Sequence, residues 1–457
     1  MSKQLIIAEK PSVAQDIARA LGGFTRAGDY FESEHYVLSS AIGHLLELAV
    51  PEEYEVKRGK WSFVHLPVIP PHFTLHPIDK TAERLKLLVR LIKRKDVVAL
   101  INACDAGREG ELIFRYVVQH AKTDKPIRRL WLQSMTPQAI KEGFAHLRSD
   151  AEMLPLADAA RCRSEADWLI GINGTRAMTA FNSQEGGFYK TTVGRVQTPT
   201  LAILVEREKA IRAHRPRDYW EVEAEFQAVA GTYRGRWFDE KFKKSDDEHA
   251  RAERLWDIKQ AEALRRKCLG KHGEVSEEAT AKTEACPLLY DLTSLQRDAN
   301  GRFGFSARTT LALAQALYEK HKVLTYPRTD SRYLPEDMLG AVKDALRALT
   351  ATPLGAHAEA VLKNGWVIPT KRIFNNAKVS DHFAIIPTGA MPKSLSEAEQ
   401  KLYELVVRRF IAIFFPSAEY LVTTRITRVE GEPFKTVGKV LVTPGWPAVY
   451  GKEAVLA

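Results

Sequence analysis

At 457 residues the chain is too long for one hydrophobic core and predicts two to four domains. Its composition, 45% hydrophobic and 27% charged, is that of a soluble globular protein, and no stretch approaches the roughly 20 apolar residues of a membrane span. The formal net charge of +10 points to a polyanionic partner, while four dispersed cysteines with no C-x-x-C pair argue against a zinc ribbon and a secreted disulfide framework.

The opening MSKQLIIAEKPSVAQ has too short an apolar run for a signal peptide, so a cytoplasmic setting is expected. QLIIAEK reads as a strand. PSVAQDIARAL reads as a helix, with Pro11 in its first turn and Gly22-Gly23 as its stop. DVVALINA (Asp96 to Ala103) reads as a buried strand and REGELIFRYVVQHA as the helix after it. Strand, turn and helix repeated predict an α/β domain with parallel strands.

Leu156 to Arg215 is helical in pattern, and Tyr219 to Trp237 shortens to the two-residue period of β structure. Lys241 to Lys271 is charged and begins as a surface excursion. SARTTLALAQALYEKHKV is a clear helix with Ser306 as its N-cap. EYLVTTRITRVEG and FKTVGKVLVTPGW return to strand character, which predicts one β domain visited before and after the helical one.

Ligands of an open parallel sheet sit beyond the carboxyl ends of its strands, and two acidic clusters fall there. Glu9 and Lys10 follow the first strand; Asp105, Glu109 and Glu111 follow the later one. Converging carboxylates repel unless a cation lies between them, and hard oxygen ligands suit magnesium. Asp105 and Glu109 also fit a helix cap and first turn, where the helix dipole favours them. Glu111 is expected as a solvated helix residue, and Gly107 as a tight turn or a close approach to phosphate.

LTYPRTDSRYLP sets Tyr326 before Pro327 and Arg328. A phenol near pKa 10 is a poor nucleophile unless positive charge stabilises its anion, which Arg328 would supply while binding a phosphate oxygen. The ordinary reading is a half-buried tyrosine at a corner between elements.

The segment LTSLQRDANGRFGFSARTTLALAQALYEKHKVLTYPRTDSRYLP closely resembles the active-site region of type IA DNA topoisomerases, especially the bacterial topoisomerase III group. IAEKPSVAQDIARAL, DAGREGELIF, DWLIGINGTRA, VGRVQTPTLAILVEREK and SDHFAIIPT agree in order, from Leu5 to Thr388. The resemblance implies a multidomain toroidal architecture: an α/β toprim domain, mainly helical domains and a β-rich gate domain. The boundaries expected are 1–155 for the toprim domain, 156–215 for a helical arch segment along the single-strand path, and 216–278 for the first part of the gate. The tyrosine-bearing helical domain follows at 279–405 and the returning part of the gate at 406–457.

It further implies an ATP-independent enzyme that cuts one DNA strand through a 5′-phosphotyrosine on Tyr326, passes a strand and reseals. Such an enzyme relaxes negative supercoils or decatenates DNA. No G-x-x-x-x-G-K-[ST] loop occurs, so no nucleotide cofactor is expected. Glu9 would hold metal or pass protons, Lys10 would stabilise the transition state or protonate the leaving oxygen, Arg328 would clamp phosphate, and His382 would assist the tyrosine. The implied Mg²⁺ ligands are Glu9, Asp105 and Glu109.

Arg176 and the run Thr192, Val193, Gly194, Arg195, Val196 and Gln197 match the single-strand path. Arg163, Asp167 and a base-stacking Trp61 are weaker members, and Trp168 is expected in a core. DNA is the expected partner, with a helicase and a single-strand-binding protein, on nucleoid or plasmid and without a membrane. Two departures stand out. Many relatives carry D-x-D-x-E where this chain has Asp105-Ala106-Gly107-Arg108-Glu109. The family chain also runs on where this one stops at GWPAVYGKEAVLA, so an incomplete arch without the usual C-terminal DNA-binding extensions is expected. The alternatives are a truncated strand-binding or cleavage-only fragment, and a toprim nuclease or primase.

Overall fold

The computed structural model describes residues 2–54, 61–132, 135–379 and 382–455; Ser380 and Asp381 of the SDHFAIIPT block lie outside the described residues. The chain divides into two units. The first is Met1–Lys209, Leu289–Leu349 and Pro369–Val407; the second is Ala210–Leu288, Thr350–Ile368 and Arg408–Ala457.

The first unit opens with β1 (Lys3–Ala8), α1 (Pro11–Leu21), β2 (Thr25–Ala27), β3 (Tyr30–Glu32) and β4 (Tyr36–Ser40). Pro11 begins α1 with its preset φ, and Gly22 ends it at φ +72°. The paired β5 (Leu46–Leu48) and β6 (Leu75–Pro77) precede α2 (Ala82–Ile92), β7 (Val97–Ala103) and α3 (Arg108–Ala121). β8 (Ile127–Arg129), α4 (Pro137–Ala145) and β9 (Arg148–Ser149) complete the α/β region.

Seven strands form one sheet in the order β2-β3-β4-β1-β7-β8-β9, with β4, β1, β7 and β8 parallel. Helices cover both faces, so β1 is a continuous apolar run rather than an alternating one. Leu5 and Ile7 join Leu88, Phe114 and Val117 in one core, and Ile6 and Ala8 join Ile17, Leu38 and Ile101 in the other.

α5 (Asp150–Asn182) starts before the expected Leu156, because Ser149 and Glu152 form a reciprocal capping box. α6 (Gln197–Ala213) follows a loop and is exposed along its whole length. Among the described residues no helix is long and apolar enough to cross a membrane.

The second unit holds β10 (Glu223–Ala228), β11 (Gly231–Trp237), α7 (Ile258–Cys268) and β12 (Gly273–Glu284). The first unit resumes with α8 (Leu292–Phe303), α9 (Ala307–Glu319) and α10 (Leu339–Leu349). α11 (Gly355–Lys363) belongs to the second unit, and α12 (Glu397–Ala412) leads to β13 (Ala418–Val429) and β14 (Glu432–Thr443). Residues before and after the helical segments share one antiparallel sheet, β10-β11-β14-β13-β12. Trp237, Leu255, Val429 and Phe434 form its small core, and α7 packs on it through Ala261 and Leu264.

Candidate active site

Ala8 at the end of β1 lies opposite Ala103 at the end of β7, so the residues after them meet at one sheet edge. The backbone N–H of Asp105 donates to Glu9 Oε2 at 3.1 Å. Burial raises the pKa of Glu9, and the charge of Asp105 adds to the rise. Burial likewise raises that of Asp105 against the opposing charge of Lys10, with Glu319 pushing it further up. Two carboxylates held together in a partly dry cleft fit a hard divalent cation, which relieves their repulsion and leaves room for water and phosphate oxygens.

Glu109 is not drawn into that pair. Its side chain is exposed and sits 3.2 Å from His44 Nε2. No three His, Cys, Asp or Glu side chains converge on a metal position among the described residues, and Glu109 is the member of the expected set that stands apart from Glu9 and Asp105. Glu111 also departs from expectation. It is 1% exposed, 3.3 Å from the Arg129 guanidinium, and accepts hydrogen bonds from Asn102 Nδ2 and Arg115 Nε. The first turn of α3 thus buries this residue instead of presenting it to water.

Arg129, at the end of β8, holds the turn that carries Asp105. Its buried guanidinium donates to the backbone oxygens of Asn102, Cys104, Asp105 and Leu130 at 2.6–3.1 Å. The glycine this turn requires is Gly110, where a Cβ would stand 2.1 Å from the Asp105 backbone oxygen. Gly107 has φ 164°, extended backbone open to any residue, and a Cβ there meets nothing nearer than His382 Nε2 at 3.9 Å.

Tyr326 is placed by two threonines. Thr325 accepts from Ile386 N and donates to the Ala384 backbone oxygen, and Thr329 Oγ1 donates to the backbone oxygen of His382. These bonds tie the tyrosine segment to the His382 segment. The Tyr326 and His382 rings lie 4.3 Å apart at 32°, and Tyr318 meets Tyr326 edge-on at 5.3 Å. Trp131 stacks on His382 at 6.1 Å and 19°.

Burial drives the Tyr326 phenol well above its usual pKa, and Asp105 adds to the rise; Arg328 opposes it without prevailing. The sequence expectation that Arg328 would favour the phenolate is therefore right in sign and outweighed in size. Lys10 Nζ is 2.7 Å from Glu319 Oε1, on the last residue of α9, and Gln315 Nε2 reaches the same oxygen. Half-burial alone would lower the pKa of Lys10; the hydrogen bond to Glu319 and the charges of Asp105, Glu319 and Glu9 raise it, so Lys10 stays an ammonium.

Glu9, Lys10, Asp105, Tyr326, Arg328 and His382 line one open cleft of about 470 Å³, which Arg163 also borders. Sequence reasoning missed Glu319, Gln315, Arg129 and Trp131. A sequence signal exists for the first two, one helical turn apart on α9 just before the tyrosine; the others owe their place to packing.

The expected strand-path residues divide. Asp167 bridges Arg195 at 3.0 Å and Arg163 at 3.9 Å, all three exposed. Thr192 is exposed, Val193 N donates to Thr175 Oγ1, and Gly194 N donates to Thr198 Oγ1, which leads through the exposed Val196 into Gln197 and α6. Arg176 is instead buried and ion-paired with Glu52 at 2.7 Å. Its guanidinium lies 5.2 Å from the ring of Trp61, which also meets Phe188 edge-on. Burial and the Glu52 carboxylate thus compensate the charge of Arg176 beside the Trp61 ring. Trp168 is half-buried, donates to the Ala49 backbone oxygen and packs edge-on against Tyr54 and Phe73.

Residues 4–135 match the Toprim domain family and residues 151–455 match the DNA topoisomerase family. Toprim domains generally bind a divalent metal. The chain is 43% identical over 454 residues to DNA topoisomerase 3 of Bacillus subtilis and 42% identical over 451 residues to that of Shouchella clausii. These alignments cover 98% of this chain, and it spans about 60% of the length of those relatives. Full-length topoisomerase I from Thermotoga maritima shares the fold with a TM-score of 0.67 at 21% identity, over 98% of this chain and 68% of that one.

Proposed function

The chain belongs to the type IA DNA topoisomerases, in the topoisomerase III group, and from that membership we propose that it cuts and reseals one strand of DNA through Tyr326 without ATP. The outcome is relaxation of negative supercoils or decatenation. The observation that carries the reading is the shared cleft, where a tyrosine stands with an acidic pair, an ammonium and an exposed guanidinium.

Tyr326 Oη bonds to the phosphorus as the P–O3′ bond breaks. The phenol gives up its proton to water, and Lys10, held as an ammonium by Glu319, protonates the departing 3′-oxygen. One ester replaces another, so the bond energy is kept and resealing runs the same steps backwards. Arg328, exposed at the cleft, binds the phosphate oxygens, and His382 orients the tyrosine ring. Glu9 and Asp105 would hold a Mg²⁺ ion, and the chemistry it would supply is positive charge toward the phosphate. Arg163, Arg195 and Trp61 serve the strand path. The domain boundaries at 155, 215, 278 and 405 are part of the same proposal, as are a cytoplasmic setting on nucleoid or plasmid DNA and a helicase and single-strand-binding protein as partners.

The test is a denaturing trap of protein with end-labelled single-stranded oligonucleotide. Wild type should retain label on the side of the 5′-phosphate, and Tyr326→Phe should retain none. Product ends bearing free 5′-phosphate would instead assign a toprim nuclease, and an undiminished adduct in the variant would remove Tyr326 from its role.

A further inference from the structure

A second depression, of about 810 Å³, lies beside α2 in the same α/β region, lined by Lys80, Arg84, Lys86 and Arg90 against Asp29 and Glu83. Glu83 is taken up by Lys86 at 2.7 Å. Arg84 spends one N–H on the backbone oxygen of Asp29, and Lys80 and Arg90 form no salt bridge among the described residues. A few residues further on, Arg94 is clamped by Glu32 and Asp96. Arg94 is thus neutralised, whereas the groove keeps four cations against two carboxylates among its lining residues.

A smaller cavity of about 70 Å³ adjoins the groove, sharing Asp29 and Arg84 with it and adding Arg26, Ser39 and Ser40. Ser39 is 1% exposed, and its Oγ has no hydrogen-bond partner among the described residues. A buried hydroxyl left without a partner is destabilising unless a ligand or water satisfies it. This cavity stands at the carboxyl end of β4 beside the first turn of α1, a turn that no side chain caps. One loop separates the groove from the catalytic cleft: Ile42, 44% exposed, lines the groove, while Gly43 and His44 line the cleft.

Resting on the DNA reading above, we propose that the α2 groove is a second nucleic-acid contact, holding backbone phosphates of the strand that continues from the catalytic cleft over the Ile42–His44 loop. Arg84, Arg90 and Lys80 supply cations along the groove. Arg26 and the Ser39 hydroxyl receive one phosphate in the small cavity. Such contacts recognise phosphate and carry no base preference.

The experiment compares wild type with Lys80→Gln/Arg90→Gln and with Arg84→Gln, by fluorescence anisotropy across a salt series. The probes are a short oligonucleotide that fills just the catalytic cleft and one of roughly thirty nucleotides that runs past it. For the long probe, the double variant should bind about 3–10-fold more weakly, with a salt slope shallower by about 0.7 for each phosphate no longer neutralised. For the short probe, affinity, adduct yield and melting temperature should be unchanged. Equal affinity of variant and wild type for the long probe overturns the proposal, as does an equal loss for both probes. Inorganic phosphate separates the sources: if it raises the melting temperature of wild type alone while long-probe affinity is unchanged, the groove binds a free anion and not a strand. A wild type that forms no adduct even with the short probe would sink the topoisomerase reading instead, so the two failures are distinct.

Discussion

Arg129 Nη2 donates to the backbone oxygen of Asp105 at 2.6 Å from a position 1% exposed to solvent. A buried guanidinium thus sets the backbone that presents the acidic residue. Replacing it with Met takes the guanidinium donor from the Cys104 and Asp105 carbonyl oxygens in a dry interior and leaves Glu111 to Arg115 and Asn102. Each buried acceptor left without its donor costs about 1–3 kcal/mol, so Arg129→Met should lower the melting temperature sharply and abolish the adduct. Arg129→Lys should rescue neither, because one ammonium cannot span the four oxygens the fork reaches. A variant that melts with wild type would refute the assignment.

The two glycines of the DAGREG turn should behave oppositely. Gly110→Ala drives a methyl into the Asp105 backbone oxygen, 2.1 Å from the ideal Cβ, so cleavage should fall by at least about a hundred-fold as the carboxylate is displaced. Gly107→Ala meets open cleft and should stay within about two-fold of wild type. Single-turnover cleavage rates decide both.

Trp131 closes a stack that runs through His382 to Tyr326, with the guanidinium of Arg148 4.5 Å from its ring. Trp131→Ala should slow cleavage about ten-fold by letting His382 and the tyrosine drift, while the oligonucleotide Kd holds. Trp131→Phe keeps a ring and should restore most of the rate. A matching rise in Kd, or no rescue by Phe, would mark a structural role alone.

Glu399 and Ser396 cap α12 reciprocally: the carboxylate accepts from Ser396 N at 2.8 Å, and Ser396 Oγ accepts from Glu399 N at 3.3 Å. The Ser396 amide, then its hydroxyl, hold the Glu399 pKa at about 2 against burial, helped by His321. A carboxyl depressed on folding stabilises above its unfolded value of 4.5 and loses that contribution as pH falls towards 2. Wild type should therefore lose melting temperature across that window, and Glu399→Gln should lose less of it. At neutral pH the variant should be weaker by about 1 kcal/mol. Parallel melting curves across the window would contradict this.

Local signals made much of this molecule readable. β1, α1, α3 and α9 stand out because apolar periodicity, Pro11, Gly22 and Ser306 all agree with the elements they bound. Tyr326, Glu9, Lys10 and Asp105 were readable as residues of chemistry in specific motifs. The supporting residues were not. Arg129 and Trp131 look like any β-strand end until the sheet brings them under Asp105 and beside His382, and a glutamate at position 111 reads the same in sequence whether buried or wet. Pro155 sits inside α5, so a helix start read after it falls late. β12 was hidden for another reason: GEVSEEATAKTE has no apolar alternation, and its strand state comes from pairing with β13 over all twelve residues.

That polarity has a use of its own. β12 is an outer strand of its sheet, exposed at every residue, and among the described residues no strand pairs with its far side. Such a margin invites a second chain to add on, the first step towards aggregation. Here an arriving strand would meet Glu274, Glu277, Glu278, Lys282 and Glu284 and would have to strip water from each. The run that conceals the strand from a hydropathy reading therefore guards the protein's solubility, and exchanging those carboxylates for valines would produce a sticky sheet while leaving the cleft untouched.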